Sequence, residues 1–368
     1  MKRLLLFILI LMFTMPVRAE EIPEVTAKSA IVLEYTGGTV VYAKNAEERL
    51  PMASTTKIMT ALVALEIGSL SDIVTIGAGA AGVEGSSMYL KTGETLTLEE
   101  LLYGLMLTSG NDAAVAIAEH IAGSEDAFAE IMTARAKELG CQNTQFKNAS
   151  GLPDSEHFTT ALELARITGK ALENETFRRI VASKNYRVGN RTLSNHNKML
   201  SLYEGAIGVK TGFTKAAGRT LVSAAERNGI MLISVTLNAP DDWNDHTKML
   251  DYGFSKMENR TVAEKNQYVG KLLVEGGMEK NVEILFGESA TLPVLKTDKT
   301  EVRINLPASV KAPVSAETKM GTAEIFVNNI KKGEVSLIAA SSIGKEPTPG
   351  LLDYLRLVFY QWVSIFIL

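Results

Sequence analysis

Residues 206–237 read AIGVKTGFTKAAGRTLVSAAERNGIMLISVTL. β-Branched and apolar residues dominate Ala206–Lys210, Thr220–Ala225 and Met231–Leu237, and turn-forming residues separate these runs, which predicts three strands in succession. Upstream, Ala30–Tyr35 and Thr39–Ala43 are strand-like runs joined by Gly37-Gly38, a hairpin signal. Between the two groups lies a mainly helical lobe, residues 97–175. Thr97-x-x-Glu100 and Thr160-x-x-Glu163 have the form of capping boxes, and Asn111–Ile121 and Glu125–Leu139 lie between them. A helix spanning Thr55–Leu65 begins right after Ser54, and another lies near Asp245–Phe254. Strands at both ends of this order predict one α/β domain, residues 26–260, whose sheet is assembled from both ends of the segment.

Three short motifs recur along the chain, and order and context select among the copies. Ser-x-x-Lys occurs at Ser54–Lys57 and Ser342–Lys345, Ser-x-Asn at Ser109–Asn111 and Ser183–Asn185, and Lys-Thr-Gly at Lys91–Gly93 and Lys210–Gly212. Ser342 has nothing after it to supply the other two elements. Lys91–Gly93 precedes both Ser-x-Asn copies and sits in a turn, whereas Lys210–Gly212 ends a strand-like run. Ser183 merely precedes Tyr186-Arg187-Val188, while Ser109–Asn111 interrupts two apolar helical stretches. The surviving triple is Ser54–Lys57, Ser109–Asn111 and Lys210–Gly212, an order known from β-lactamases and penicillin-binding proteins.

The chemistry of the triple is that of serine acyl transfer. Residues three apart on a helix share a face, with Cβ atoms roughly 5–6 Å apart, so Lys57 can reach the Ser54 hydroxyl. A serine is a poor nucleophile until a base takes its proton. Lysine serves as that base only when burial and a second cation, here Lys210, lower its pKa. A helix N-terminus starting at Ser54 favours developing negative charge, and the Ser54 N–H can form half of an oxyanion hole.

Other chemistries find less support. Gly77–Gly82 fits G-x-G-x-x-G after the strand-like Asp72–Ile76, but Gly85, Ser86, Ser87 and Gly93 interrupt the helix that a dinucleotide site requires. The four histidines, His120, His157, His196 and His246, have no metal-ligand spacing, so no metal or cofactor is expected. A formal net charge of −4 argues against a nucleic-acid partner. Cys141 stands alone and reads as a buried apolar residue.

The chain ends carry the localisation signals. Met1-Lys2-Arg3, the apolar run Leu4–Met15 and Val17-Arg18-Ala19 read as a secretory signal peptide, residues 1–19, with an uncleaved anchor as the alternative. Short β-type runs between Val282 and Ala340 predict a small all-β domain over 265–345. Residues 349–368 form an amphipathic helix whose uncharged stretch Leu357–Leu368 is too short to cross a bilayer and suited to its interface. Docking on the β domain is the alternative.

Through "MASTTKIMTAL", "GLMLTSGNDAAVAIAEHIAG", "NASGLPD" and "GVKTGFTKAAGRTLVSAAER", residues 27–254 resemble the D-alanyl-D-alanine carboxypeptidases, the low-molecular-mass penicillin-binding proteins. The resemblance implies a β-lactamase/transpeptidase-like domain, an antiparallel sheet plus a helical lobe, then the small β domain and a C-terminal helix that holds the enzyme on the outer face of the cytoplasmic membrane. It further implies that Ser54 attacks the penultimate D-alanine carbonyl of a peptidoglycan stem pentapeptide, with Lys57 as proton acceptor and Ser109 and Asn111 relaying protons and orienting substrate. Lys210 and Thr211 would bind the terminal carboxylate, and the Phe213 N–H after Gly212 would complete the oxyanion hole. β-Lactams would acylate the same serine.

Two departures concern the carboxylate. Asn195-His196-Asn197 stands where many members carry a basic residue, and Asp241-Asp242-Trp243 stands where some carry an arginine, which shifts the load onto Lys210, Thr211 and Arg219, or a charged His196. The segment Asn238–His246 resembles sporulation-associated members. A class A β-lactamase is disfavoured by Gly110 in the second motif and by the lack of an E-x-x-L-N loop. A non-catalytic wall-binding protein is disfavoured by three intact motifs.

Overall fold

The computed structural model describes residues 22–347 and 350–366. The expected signal peptide lies outside the described residues.

The strands predicted at both ends of the first segment meet in one antiparallel sheet. β1 (Ser29–Glu34) and β2 (Thr39–Lys44) form the hairpin, and β7 (Ala206–Thr214), β8 (Gly218–Arg227) and β9 (Ile230–Leu237) complete the order β2-β1-β9-β8-β7. β1 is central enough to be buried along its whole length. Its side chains alternate as the pleat requires. Ile31 and Leu33 join the core under the helical lobe, while Ala30 and Val32 face the closing helix α8 (Asp242–Lys256). β7, which carries Lys210–Gly212, is left as an edge, paired only with β8.

Six further helices form the lobe: α1 (Lys57–Ile67), α2 (Leu98–Leu107), α3 (Asn111–Ala122), α4 (Glu125–Glu138), α5 (Ala161–Leu172) and α6 (Glu175–Ala182). The single-turn α7 (Met199–Leu202) precedes β7. Two small hairpins, β3–β4 (Ile73–Thr75, Thr95–Thr97) and β5–β6 (Asn185–Val188, Arg191–Ser194), edge the lobe. α1 is apolar nearly all round, and Lys57–Ala64 are all buried, so it forms the axis of the lobe. That places one lysine inside a hydrophobic core.

Local signals behave unequally. Thr97 and Glu100 form the full capping box at α2. At α5 only half of it forms: Thr160 accepts from the Glu163 N–H, but the Glu163 carboxylate accepts from the Asn143 N–H and the Thr144 hydroxyl, bracing a turn instead. The expected helix start after Ser54 is also corrected. Ala53–Thr56 is a 3₁₀ turn, and α1 begins at Lys57. The G-x-G-x-x-G stretch is a turn with Gly77 and Gly79 tight against the Glu119 carboxylate, and the next helix, α2, starts only at Leu98.

Beyond α8 the chain is β-rich and has its own core. β10 (Met257–Ala263) pairs with β13 (Ala290–Leu295). β11 (Tyr268–Glu275), β12 (Asn281–Phe286), β14 (Thr300–Asn305), β15 (Ser309–Lys311), β16 (Lys319–Val327) and β17 (Ile330–Ala339) form a six-stranded sheet in the order β14-β16-β17-β12-β11-β15. Leu272, Ile284, Ile325 and Leu337 centre the core. Ser342, of the repeated Ser-x-x-Lys, accepts from the Ala316 N–H within this domain. α9 (Leu351–Phe366) follows, with Leu352, Phe359 and Trp362 largely exposed. Among the described residues, no helix is long and apolar enough to cross a membrane.

Candidate active site

The 3₁₀ turn, the α2–α3 junction and edge strand β7 converge on one cleft of about 430 Å³. Its walls include Ser54, Ser86, Ser109, His196, Thr211, Gly212 and Phe213. In a 3₁₀ turn residues i and i+3 eclipse, so the corrected helix start strengthens the Ser54–Lys57 pairing. Lys57 Nζ lies 3.2 Å from Ser54 Oγ, 2.8 Å from Asn111 Oδ1 and 2.6 Å from the Ser150 carbonyl. Asn111 is oriented from its other end, its Nδ2 donating to the Glu84 carbonyl at 2.6 Å.

Burial pulls the Lys57 amine well below the usual lysine range, and Lys210 adds to the effect, while Asp112 and Glu125 oppose it. A neutral amine has two N–H groups and one lone pair. Asn111 Oδ1 and the Ser150 carbonyl can only accept, so they take both N–H groups. The lone pair is left for the Ser54 O–H. The arrangement can therefore remove a proton from that serine.

Close backbone approach holds the turn in place. Ala53, just before Ser54, has φ +48°, and Ser109 has φ +60°, both sparsely populated for residues with a Cβ. Gly151, at φ +89°, lies so close behind that a Cβ there would sit 1.9 Å from the Ala53 carbonyl oxygen. Gly212 presses from the strand side, where a Cβ would meet the Ser54 nitrogen at 3.0 Å. β7 thus runs directly along the Ala53–Thr56 turn.

Lys210 is buried beneath this edge, its Nζ donating to the Thr211 carbonyl at 2.8 Å, and burial lowers its pKa to about 7. His196 reaches the cleft with its backbone N–H on the Leu107 carbonyl. Burial, then Lys210, lowers its pKa, so it is a neutral imidazole at neutral pH. Phe213 projects into solvent at the rim. All nine residues singled out in the sequence stand in or directly beneath the cleft. The competing Lys91–Gly93 turn lies outside it: the Lys91 N–H closes onto Glu94, which pairs with Arg191. Cys141 is buried, its thiol pushed up to about 12 by burial.

Sequence reasoning missed several contributors. The Ser150 carbonyl carries no side-chain signature. Asp112 clamps the loop bearing Ser86, accepting from the Ser87 hydroxyl at 2.6 Å and from the Met88 and Leu90 N–H groups at 3.0 Å. His157 Nδ1 accepts from the Lys147 N–H, so its Nε2–H faces Thr56 Oγ1 at 2.7 Å and braces the residue beside Lys57. A second groove of about 540 Å³ begins at Met52 and Ala53 and runs between Leu152 and Thr214. Among the described residues no His, Cys, Asp and Glu cluster is suited to a metal.

Residues 16–241 match the family described as D-alanyl-D-alanine carboxypeptidase, Peptidase_S11, and residues 258–345 match the penicillin-binding protein 5 C-terminal domain. The chain is 35% identical to D-alanyl-D-alanine carboxypeptidase DacF of Bacillus subtilis, covering 92% of this chain and 90% of that one. It is 32% identical to DacC of Escherichia coli, over 93% and 90%. Penicillin-binding protein 5 of Haemophilus influenzae superposes with a TM-score of 0.67 at 27% identity, covering 88% of this chain and 99% of that one. For PBP3 of Streptococcus pneumoniae, a peptidoglycan synthesis regulatory factor, the TM-score is 0.73 at 26% identity, over 87% and 100%. A serine with a desolvated lysine beside it, on this fold and with these relatives, places the chain in the D-alanyl-D-alanine carboxypeptidase family, serine-type hydrolases of the penicillin-binding class.

Proposed function

We propose that Ser54 is the nucleophile that removes the terminal D-alanine from peptidoglycan stem pentapeptides. The observation that carries the reading is Lys57: a fully buried amine with two obligate acceptors, Asn111 Oδ1 and the Ser150 carbonyl, and its third direction on Ser54 Oγ. Ser54 Oγ gives its proton to Lys57 Nζ and bonds to the penultimate D-alanine carbonyl carbon. The carbonyl oxygen becomes an oxyanion between the Ser54 and Phe213 N–H groups, the arrangement that stabilises tetrahedral intermediates. The proton then passes by way of Ser109 to the departing amine, and free D-alanine leaves. Water cleaves the resulting ester by the same proton route and restores Ser54.

Lys210 and Thr211 hold the substrate's terminal carboxylate, Asn111 orients the scissile segment, and neutral His196 hydrogen-bonds at the cleft wall. The groove past Met52 leaves room for the upstream part of the stem peptide. Penicillin acylates the same serine and is released slowly. Residues 26–260 act as the catalytic domain and 265–345 as a separate β domain. Residues 349–368 hold the exported enzyme on the outer face of the cytoplasmic membrane as a peripheral anchor, a role favoured by the exposed apolar side chains of Leu351–Val363.

The test is release of D-alanine from a defined pentapeptide by the purified protein. Ser54→Ala should abolish it. Binding of the peptide with no D-alanine released would point instead to a wall-binding protein, and rapid turnover of penicillin would point to a β-lactamase.

A further inference from the structure

The second groove runs past the immediate partners of Lys57. Met52 and Ala53 in its wall precede Ser54, Gly151 follows the Ser150 carbonyl to which Lys57 donates, and His157 bonds Thr56, the residue before Lys57. The groove is open and about 540 Å³ in volume, yet Lys57 is wholly buried. Something must part the two, and His157 is held where it can do so. Its ring is 3% exposed and is fixed from three directions. Nδ1 accepts from the Lys147 N–H at 3.0 Å, Nε2–H donates to Thr56 Oγ1 at 2.7 Å, and the ring meets Phe146 edge to face with centroids 5.7 Å apart.

We propose that His157 is a positioning residue for Lys57. Its ring stands between the second groove and the amine and keeps the groove's water away, while its Nε2–H pins Thr56 so that Lys57 stays in register with Ser54. This rests on the reading of Lys57 as the base.

Three physical points support the assignment. Burial is the largest cause of the depressed Lys57 pKa, so the wall around the amine matters more than any one neighbouring charge. The charges that do act on it come from other elements: Lys210 of β7 lowers the value, and Asp112 of α3 and Glu125 of α4 raise it. The wall itself adds no charge. Burial lowers the His157 pKa to about 4, with Asp154 opposing and Lys57 adding to the fall, so the ring is neutral where Lys57 has to accept a proton. Of the charged groups in the same loop, Asp154 is exposed and Lys147 pairs with Glu156 at 3.0 Å. Finally, Thr56 closes the 3₁₀ turn that begins at Ala53. Residues three apart eclipse in such a turn, so a displaced Thr56 would carry Lys57 off the Ser54 hydroxyl.

The test is the pH dependence of acylation by a fluorescent penicillin, measured on the purified full chain. Full burial lowers a lysine by up to about 3–5 units, and water admitted from one side should restore about one of them. In His157→Ala the acid limb should therefore move up by about one pH unit, and the rate at a fixed pH on that limb should fall about tenfold. If His157→Ala does not fold, His157→Asn is read by the same displacement. It keeps an acceptor for the Lys147 N–H but is too short to reach Thr56. An acid limb that stays where the parent's lies, whatever happens to the plateau or the melting temperature, overturns the assignment and leaves His157 a support of the fold alone. A parent profile with no acid limb would instead remove Lys57 as the base, and this inference with it.

Discussion

Replacing Asn111 by aspartate turns its amide nitrogen into a second oxygen and puts a negative charge on the group whose Oδ1 lies 2.8 Å from the Lys57 amine, with almost no change in shape. The consequence follows from the proton count. Burial, then Lys210, hold Lys57 well below the ordinary lysine range, which favours the neutral amine and its lone pair. A carboxylate at that distance favours the ammonium, and opposite charges within about 4–6 Å typically raise a lysine by about 1–3 pKa units. Each unit removes about tenfold of the neutral amine at a given pH below the new value. Acylation of Asn111→Asp near neutral pH should therefore fall by about 10- to 1000-fold, and it should recover as the pH rises by about 1–3 units. A further loss at all pH values comes from the Asn111 Nδ2 bond to the Glu84 carbonyl, about 1 kcal/mol for one hydrogen bond. Asn111→Ala supplies the contrast, since it removes the acceptor without adding charge and should lower the rate with no alkaline displacement of the acid limb. The assay is the second-order rate of labelling by a fluorescent penicillin across pH. An acid limb that stays in place for Asn111→Asp, with only a lowered plateau, would refute the view that Lys57 acts as a neutral base.

Other outcomes follow from the same geometry. Lys210 loses its charge at about 7 in the unliganded site, so kcat/KM on a carboxylate substrate should decline as pH rises through that value; Lys210→Arg, which cannot deprotonate, should remove this alkaline limb in a pH–rate profile. Gly151→Ala places a Cβ 1.9 Å from the Ala53 carbonyl at φ +89°, where the left-handed backbone alone costs about 1–2 kcal/mol. It should lower the melting temperature by several degrees and slow acylation, because relief requires the Ala53–Ser54 turn to move; unchanged rates would show that the turn tolerates displacement. Deleting residues 349–368 should release the protein from sedimenting lipid vesicles without altering its melting temperature, since the apolar side chains between Leu351 and Val363 are largely exposed. Retention on the vesicles would assign the membrane contact elsewhere.

Much of the fold was legible because it depends on local chemistry. The alternation of β1, β8 and β9 and the Thr97 cap are written in consecutive residues, and the sheet followed from strands at both ends of one segment. The Ser54–Lys57, Ser109–Asn111 and Lys210–Gly212 elements were separable from their repeats by order and local context. What escaped were features that depend on long-range closure. The Ser150 carbonyl engages Lys57 from 93 residues away through a main-chain atom that every residue possesses. Glu163 followed the capping pattern but was drawn to Asn143 and Thr144, a tertiary demand that outweighs one local hydrogen bond. The 3₁₀ turn at Ser54 was missed for a similar reason. It is pinned between Gly151 and Gly212, and neither constraint is visible in the residues of the turn itself.

The central claim is that Ser54, served by Lys57, forms the acyl-enzyme. Its most direct measurement is mass-spectrometric mapping of the penicilloyl adduct after tryptic digestion, since cleavage after Arg49 and Lys57 isolates Leu50–Lys57 with Ser54 as its lone serine. The adduct should reside on that peptide at Ser54 and be lost in Ser54→Ala. An adduct on Ser109 or any other residue, or none at all in the parent protein, would contradict it.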